Sequence, residues 1–410
     1  MKKLNDLTPD ALDGKTVFLR TEFNVALNDE FQVVDDSRIR ASLPTIEWLT
    51  RSGARVVVCS HIGRPRGKYD RKKSLKHLVE PLSDLLKTPV SFAKNCIGPP
   101  RAKAQRALSR SGVLLLENVG FHMGEMENDP KFAASLASKI DIYVNDAFGN
   151  SHRSHASMAS VPACVPQKVA GLSLVKELLA VNGFLEGTKH PAVAIVGGAK
   201  VAGEDGKIHV IRNIMPAMDS ICIVGKIAYY FLKANGLSVG KTIDPDTRQI
   251  DAPESDVAQS VKDCAAVLED PETKDTNILL PMDSIVASPR RVKVKPINHD
   301  IEVIPPKASA LDVGQRTTNA IGKLLKKARS IVWNGPAGYF EDPRFREGTL
   351  AIARAIKNSN AQVLVGGGDT LAALKDVGFS PARVHVCTGG GAMLVMLMGR
   401  ELPAVTALED

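Results

Sequence analysis

The feature that most constrains this chain is a recurring pattern: a short β-branched or leucine-rich run, a turn bearing charge or glycine, then a longer stretch of helical composition. In the first half the runs are Thr16 to Arg20, Arg55 to Ser60, Val113 to Glu117 and Asp141 to Asn145. In the second they are Ala192 to Val196, Ser220 to Val224, Asn277 to Leu280, Ser330 to Trp333, Ala361 to Val365 and Arg383 to Cys387. Strands that are apolar throughout, with no polar face, belong to parallel sheets covered on both sides. Helical crossovers between such strands predict a doubly wound α/β arrangement. A chain of 410 residues is long enough for two such domains. Between the two series, Ala170 to Leu185 reads as an amphipathic interdomain helix ending at Glu186-Gly187-Thr188. Pro245 to Pro253 and Arg290 to Pro306 read as excursions or a local hairpin.

Composition narrows the class further. An apolar content of 44% with 24% charged residues is that of a globular chain and excludes a disordered one. No apolar run approaches the roughly 20 residues of a membrane helix. The opening MKKLNDLTPD has basic residues but no apolar stretch behind them, so a secretory signal is not expected and a cytoplasmic location is. The cysteines at 59, 96, 164, 222, 264 and 387 have no CxxC spacing and read as buried reduced thiols. The net charge of +8 is lopsided: residues 1–172 hold 25 Lys and Arg against 18 Asp and Glu. That bias suits an anionic ligand, and no aromatic platform or basic repeat accompanies it to suggest nucleic acid.

Ligands of open parallel sheets bind beyond the carboxyl ends of the strands. In the first half those ends carry charge: Arg20 to Asn24, His61 to Pro65, Glu117-Asn118, and Asn145 to Arg153, with Arg38 and Arg40 on a nearby loop. Arginines converging from several strand ends make a multidentate site for phosphate or carboxylate. In the second half the ends carry glycine: Gly197-Gly198-Ala199-Lys200, Asn334 to Gly338, Gly366-Gly367-Gly368-Asp369-Thr370 and Gly389 to Gly391. Glycine lets backbone amides approach a phosphate, and the following helix start favours negative charge. Neither GxxxxGK[ST] nor GxGxxG is present, which argues against a P-loop or dinucleotide site. Asp369 beside such amides is a candidate Mg²⁺ ligand. One domain for a small anion and one for a nucleotide predict a kinase that closes its domains to exclude water.

The segments FLRTEFNVAL, DDSRIRASLPTIEWL, SHIGRPRGKY, LLLENVGF, YVNDAFGNSHRSHAS, VAIVGGAKV, VWNGPAGYFE, VGGGDTLAAL and CTGGGAMLVMLMGRELPAV occur in this order. Together they resemble the phosphoglycerate kinase family over essentially the whole chain. The resemblance implies two Rossmann-like doubly wound parallel-sheet domains joined by the interdomain helix. Residues 1–170 would hold 3-phosphoglycerate, 171–188 would be the helix, and 189–399 would hold MgATP or MgADP. The tail 400–410 would return to the first domain. It also implies reversible transfer between ATP and the carboxylate of 3-phosphoglycerate in glycolysis, by a monomer without nucleic-acid or membrane partners. Glu22, Asn24, Arg38, His61, Arg64 and Arg153 would contact the acid. Lys200, Asn334, Glu341 and Gly366, Gly367, Gly368, Asp369 and Thr370 would contact the nucleotide, with Asp369 at the metal. Arg38, Lys200 and Lys207 would be catalytic.

Several positions depart from the family pattern. Glu22 stands where Asp is usual, and Gly120 stands where ENVRF has an arginine that holds the distal phosphate. Glu204 occupies the slot of a second lysine, with Lys207-Ile208 resuming the pattern three residues later. Val224 to Ala228 replaces GGGMA. Arg66 or Lys68 could restore charge near position 120. Two alternative readings follow: a divergent paralogue phosphorylating another small carboxylate, or a non-catalytic nucleotide-binding protein of the same fold.

Overall fold

Pairing of the apolar runs accounts for most of the architecture of the computed structural model, which describes residues 1–201, 206–243, 254–270, 275–287, 297–379, 384–387 and 389–409. Two compact units result. The first comprises Met1–Leu179 with Glu401–Asp410, the second Ala180–Arg400.

In the first unit, β1 (Thr16–Thr21), β2 (Arg55–Cys59), β3 (Val90–Ala93), β4 (Val113–Leu116), β5 (Ile142–Asp146) and β6 (Gln167–Ala170) form one sheet in the order β3-β4-β2-β1-β5-β6. Every pair is parallel. The interiors of β2, β4 and β5 are buried throughout, as expected of strands covered on both faces. From β1 the chain moves outward on one side through β2, then returns at β5 to β1's other flank. The carboxyl ends of β1 and β5 therefore bracket the switch point, where such sheets hold ligands.

In the second unit, β7 (Ala192–Val196), β8 (Ser220–Ile223), β9 (Asn277–Leu279), β13 (Ser330–Asn334), β14 (Gln362–Gly366) and β15 (Val384–Cys387) form a second parallel sheet, in the order β15-β14-β13-β7-β8-β9. Its switch point lies between β7 and β13. A separate antiparallel sheet joins β10 (Asp283–Ala287), β11 (Ile297–Asp300) and β12 (Ser309–Val313). Of the second-half excursions, β11 lies within Arg290 to Pro306, whereas Pro245 to Pro253 lies outside the described residues.

The long helix between the series runs from Leu172 to Glu186, and the boundary of the two units falls inside it. Its first amides find an acceptor in Asp146 Oδ1, 2.8 Å from Ser173 N, which satisfies groups that a bare helix start leaves open. The tail beyond Arg400 packs on the first unit: Ala404 N–H donates to Ser151 O at 3.1 Å and Lys168 Nζ to Glu409 O at 2.8 Å. The thiols of Cys59, Cys96, Cys222, Cys264 and Cys387 are buried. Cys164 is exposed, contrary to the expectation of six buried thiols, because it sits in a short turn rather than a strand.

Candidate functional site

At the switch point of the first unit a buried carboxylate lies among cations. Glu22 follows β1 directly and is almost fully enclosed. It accepts a hydrogen bond from Asn150 Nδ2, and Arg38 Nη1 lies 3.5 Å from Glu22 Oε1. Burial pushes the Glu22 carboxyl up, while Arg38, Arg20 and Arg153 pull it down. Arg38 enters from the first turn of helix Ser37–Arg51 and also donates to Asn24 O at 2.5 Å. Asn24 Oδ1 in turn accepts from Gly63 N at 2.8 Å, which fixes the loop after β2 beside the loop after β1.

His61 opens that second loop, and its Nδ1 is a buried atom with no hydrogen-bond partner among the described residues. Burial drives the His61 imidazolium well down, and Arg20, Arg153, His155 and Arg38 add to the effect. His155 is pushed to about 4, mainly by burial and then by Arg153, Arg20 and His152. The site therefore holds an excess of guanidinium charge, with neutral imidazoles ready to accept a proton if an anion arrives. That is the electrostatics of an anion site.

The sequence-expected residues Glu22, Asn24, Arg38, His61 and Arg153 share this neighbourhood. Arg64 lies on the same loop, exposed, with no hydrogen bond or ion pair among the described residues. Arg40 is not part of the cluster; it pairs with Asp36 at 2.8 Å on an exposed helix turn. Three supporting residues were not singled out from the sequence. Asn150 reaches Glu22. Glu125 accepts from Ser157 N and Oγ at 2.8 and 2.6 Å, and the same Ser157 Oγ accepts from the buried Arg20 Nε at 2.9 Å. His155 Nδ1 lies 3.8 Å from Glu125. Asn150 and His155 fall in the polar run after β5 and could have been found there. Glu125 lies far from any strand end and carried no signal.

In the second unit the loops after β7 and β13 interlock. Gly197 N–H donates to Asn334 O at 2.9 Å and Gly198 N–H to Pro336 O at 3.0 Å. Gly225 N–H donates to Ala337 O at 3.1 Å. A Cβ on Gly225, whose φ is +67°, would fall 2.5 Å from Gly198 N, so only glycine fits. Lys207, at the first turn of helix Lys207–Ile214, sends its ammonium into this cradle. Its Nζ donates to Gly197 O and, at 3.3 Å, to Asn334 O. A Cβ on Gly335 would lie 2.4 Å from that Nζ. Burial lowers Lys207 to about 8, and Asp369 pulls the other way.

Asp369 is exposed in the first turn of helix Gly368–Asp376. Its carboxyl is pushed up by burial and by Glu341, and down by Lys207. Thr370 Oγ1 donates to Gly366 O and Gly367 O at 2.6 and 2.7 Å, and Asn334 Nδ2 to Gly366 O at 3.1 Å. Thus Lys207, Asn334, Gly366, Gly367, Gly368, Asp369 and Thr370 gather at one end of the sheet, with Glu341 close enough to repel Asp369. Lys200 is exposed, and its carbonyl accepts Lys207 N–H at 3.2 Å. The departure at Glu204 lies outside the described residues.

Comparison with known proteins agrees with this geometry. The sequence model of the family described as phosphoglycerate kinase matches residues 4–400. A phosphoglycerate kinase of Koribacter versatilis (strain Ellin345) is 42% identical over 409 residues, covering 97% of each chain. One from Anaeromyxobacter sp. (strain Fw109-5) is 41% identical over 407 residues, covering 98% of this chain and 99% of its own. Among solved structures, the phosphoglycerate kinase of Coxiella burnetii superposes with a TM-score of 0.79 at 35% identity, covering 99% of this chain and 98% of that one. That of Pyrococcus horikoshii OT3 gives 0.84 at 30%, covering 100% and 98%.

Proposed function

The chain belongs to the phosphoglycerate kinase family, and on that premise we propose that it moves a phosphoryl group reversibly between ATP and the carboxylate of 3-phosphoglycerate, with the acid on the first unit and the nucleotide on the second. The observation that carries this reading is the cationic switch point around Glu22, whose arginines outnumber its carboxylates while its histidines stay neutral. Such a site is short of negative charge, which a phosphorylated acid supplies.

The acceptor carboxylate is already a nucleophile, so no general base is required. Catalysis reduces to alignment and to stabilisation of charge on the transferring group. On the acid side, Arg38 is the catalytic cation, with its position set by Glu22 and Asn24 O. Asn24, His61, Arg64 and Arg153 bind the acid. On the nucleotide side, Lys207 is held by two carbonyls in a dry cradle and faces the transferring phosphoryl group, with Lys200 beside it. Asn334, Glu341 and the 366–370 loop bind the nucleotide.

A divalent cation suits Asp369. Mg²⁺ uses one or two carboxylates plus phosphate oxygens and keeps its waters, and a carboxyl pushed up by burial and then by Glu341 would be relieved by positive charge. When bound, the ion offsets charge on the polyphosphate. The same reading has the chain working as a monomer in the cytoplasm. Five buried thiols suit a reducing compartment.

A coupled assay with ATP and 3-phosphoglycerate tests the reading, and turnover of about 1 s⁻¹ or faster is expected. Absence of turnover, with ATP-dependent hydroxylamine trapping of an acyl phosphate on some other acid, would point to the divergent paralogue.

A further inference from the structure

Building on the proposed acid site, we infer that Arg66 binds the remote phosphate of the substrate, taking over a charge that position 120 cannot carry. A phosphorylated acid has two anionic ends, and the cluster around Glu22 accounts for one set of cations. Residue 120 is a half-buried glycine with tight surroundings. A Cβ there would lie 3.0 and 3.2 Å from Pro65 Cγ and Cδ and 3.2 Å from Asn118 Oδ1. Even the first atom of a side chain is crowded.

What crowds it is the loop that carries Arg66. Pro65 covers Gly120, Gly67 N–H donates to Gly120 O at 3.0 Å, and the Tyr69 ring packs on Phe121 with centroids 5.0 Å apart. The start of the loop is held by Asn118 Nδ2 donating to Ile62 O at 2.9 Å and by Gly63 N–H donating to Asn24 Oδ1 at 2.8 Å. A side chain at Gly67 would be strained: its φ is +76°, and a Cβ would fall 2.3 Å from Met123 Cγ. A segment anchored at so many points presents its side chains from a fixed base.

At the tip, Lys68 N–H donates to Pro65 O at 3.2 Å. The two central residues of this turn, Arg66 and Gly67, both have positive φ, the type I′ pattern. Arg66 stands at +52°, where Asn, Asp or Gly would sit with less strain. Strain at a ligand-side loop points to a demand for that side chain. Its charge is also uncommitted. Arg66 is exposed and makes no hydrogen bond or ion pair among the described residues, whereas nearby Lys73 is paired with Asp70 at 2.8 Å. The residue that follows it donates to Gly120 O, so its stem starts beside the position that lacks a side chain.

Calorimetric titration with 3-phosphoglycerate, run on the full chain alongside the turnover assay, tests this. Arg66→Gly relieves the backbone and Arg66→Asn tolerates the same φ, so both should fold with a melting temperature close to the parent's. Both are expected to weaken 3-phosphoglycerate binding about tenfold or more, the scale of one lost charged partner. ADP affinity should stay within about twofold, and Arg66→Lys should fall between. Lys68→Ala should leave binding within about threefold. Unchanged acid affinity in Arg66→Gly and Arg66→Asn overturns the inference, as does a loss seen at Lys68→Ala alone. Binding without turnover in the parent sinks the kinase reading and leaves the Arg66 test standing; no binding in the parent sinks both.

Discussion

Replacing Lys207 by methionine should cut activity steeply while leaving stability almost where it was. The ammonium is enclosed against Gly197 O and Asn334 O, and burial holds it near 8 rather than 10.5. That drop corresponds to about 3 kcal/mol against the charged form in the folded state, burial outweighing the pull of Asp369. Methionine has a similar length and no charge to desolvate. Against this, two carbonyls lose a donor, at roughly 1–3 kcal/mol when a buried acceptor is left open. The two effects nearly cancel, so urea unfolding at pH 7 should show a change within about 1–2 kcal/mol in either direction. Turnover should instead fall about 10²- to 10³-fold, the cost of one fixed charge-stabilising donor. The pH dependence sharpens the test. A lysine whose folded value is depressed penalises the fold fully below about 8, and the penalty fades as pH rises towards 10.5. The parent should therefore gain stability from this group across that window while losing turnover above pH 8, and Lys207→Met should lack the stability gain. Coupled kinetics and urea midpoints at pH 7, 8 and 9 provide the readouts. Turnover within threefold of the parent, or a large stability loss that accounts for the activity loss, would refute the reasoning.

Other outcomes are expected from the same geometry. Gly225→Ala should cost about 1–3 kcal/mol and weaken ADP binding, because its Cβ would meet the Gly198 amide at 2.5 Å in a backbone region that favours glycine; thermal melts with and without ADP check this. The depressed histidines should make stability fall as pH drops from 6.5 towards 4, where His155 protonates, since unfolded histidine binds its proton first. Urea midpoints at pH 7 and pH 5 should differ, and His155→Gln should narrow the gap. Asp369→Asn should raise the Mg²⁺ needed for half-maximal turnover about tenfold or more without altering 3-phosphoglycerate binding.

The parallel sheets were legible because their strands are buried on both faces and so read as unbroken apolar runs; most of the expected bounds lie within a residue or two of the observed strands. The strands that escaped notice fail that criterion. Val90–Ala93 at the sheet edge is buried only at its two ends, and Gln167–Ala170 is polar in its first half. Asp283–Ala287 and Ser309–Val313 carry the buried carboxylates Asp283 and Asp312, which serve backbone amides instead of a ligand. In the sites, strand-end chemistry exposed the residues that project from loops. What sequence could not show was closure in space. Glu125, remote from every strand end, meets Arg20 through Ser157, and the Lys207 ammonium comes to lie on the carbonyls of residues 197 and 334 despite its shifted spacing.

The last ten residues belong to the unit that begins at Met1. During synthesis, the segment that pairs with Ser151 and Lys168 leaves the ribosome only after the whole second unit has been made. The first unit to be translated is thus the last to be finished, and a chain that stops early yields a first sheet with its hem undone. A nonsense codon near residue 400 would spare every residue assigned to chemistry here and still remove a fastening that the first unit needs.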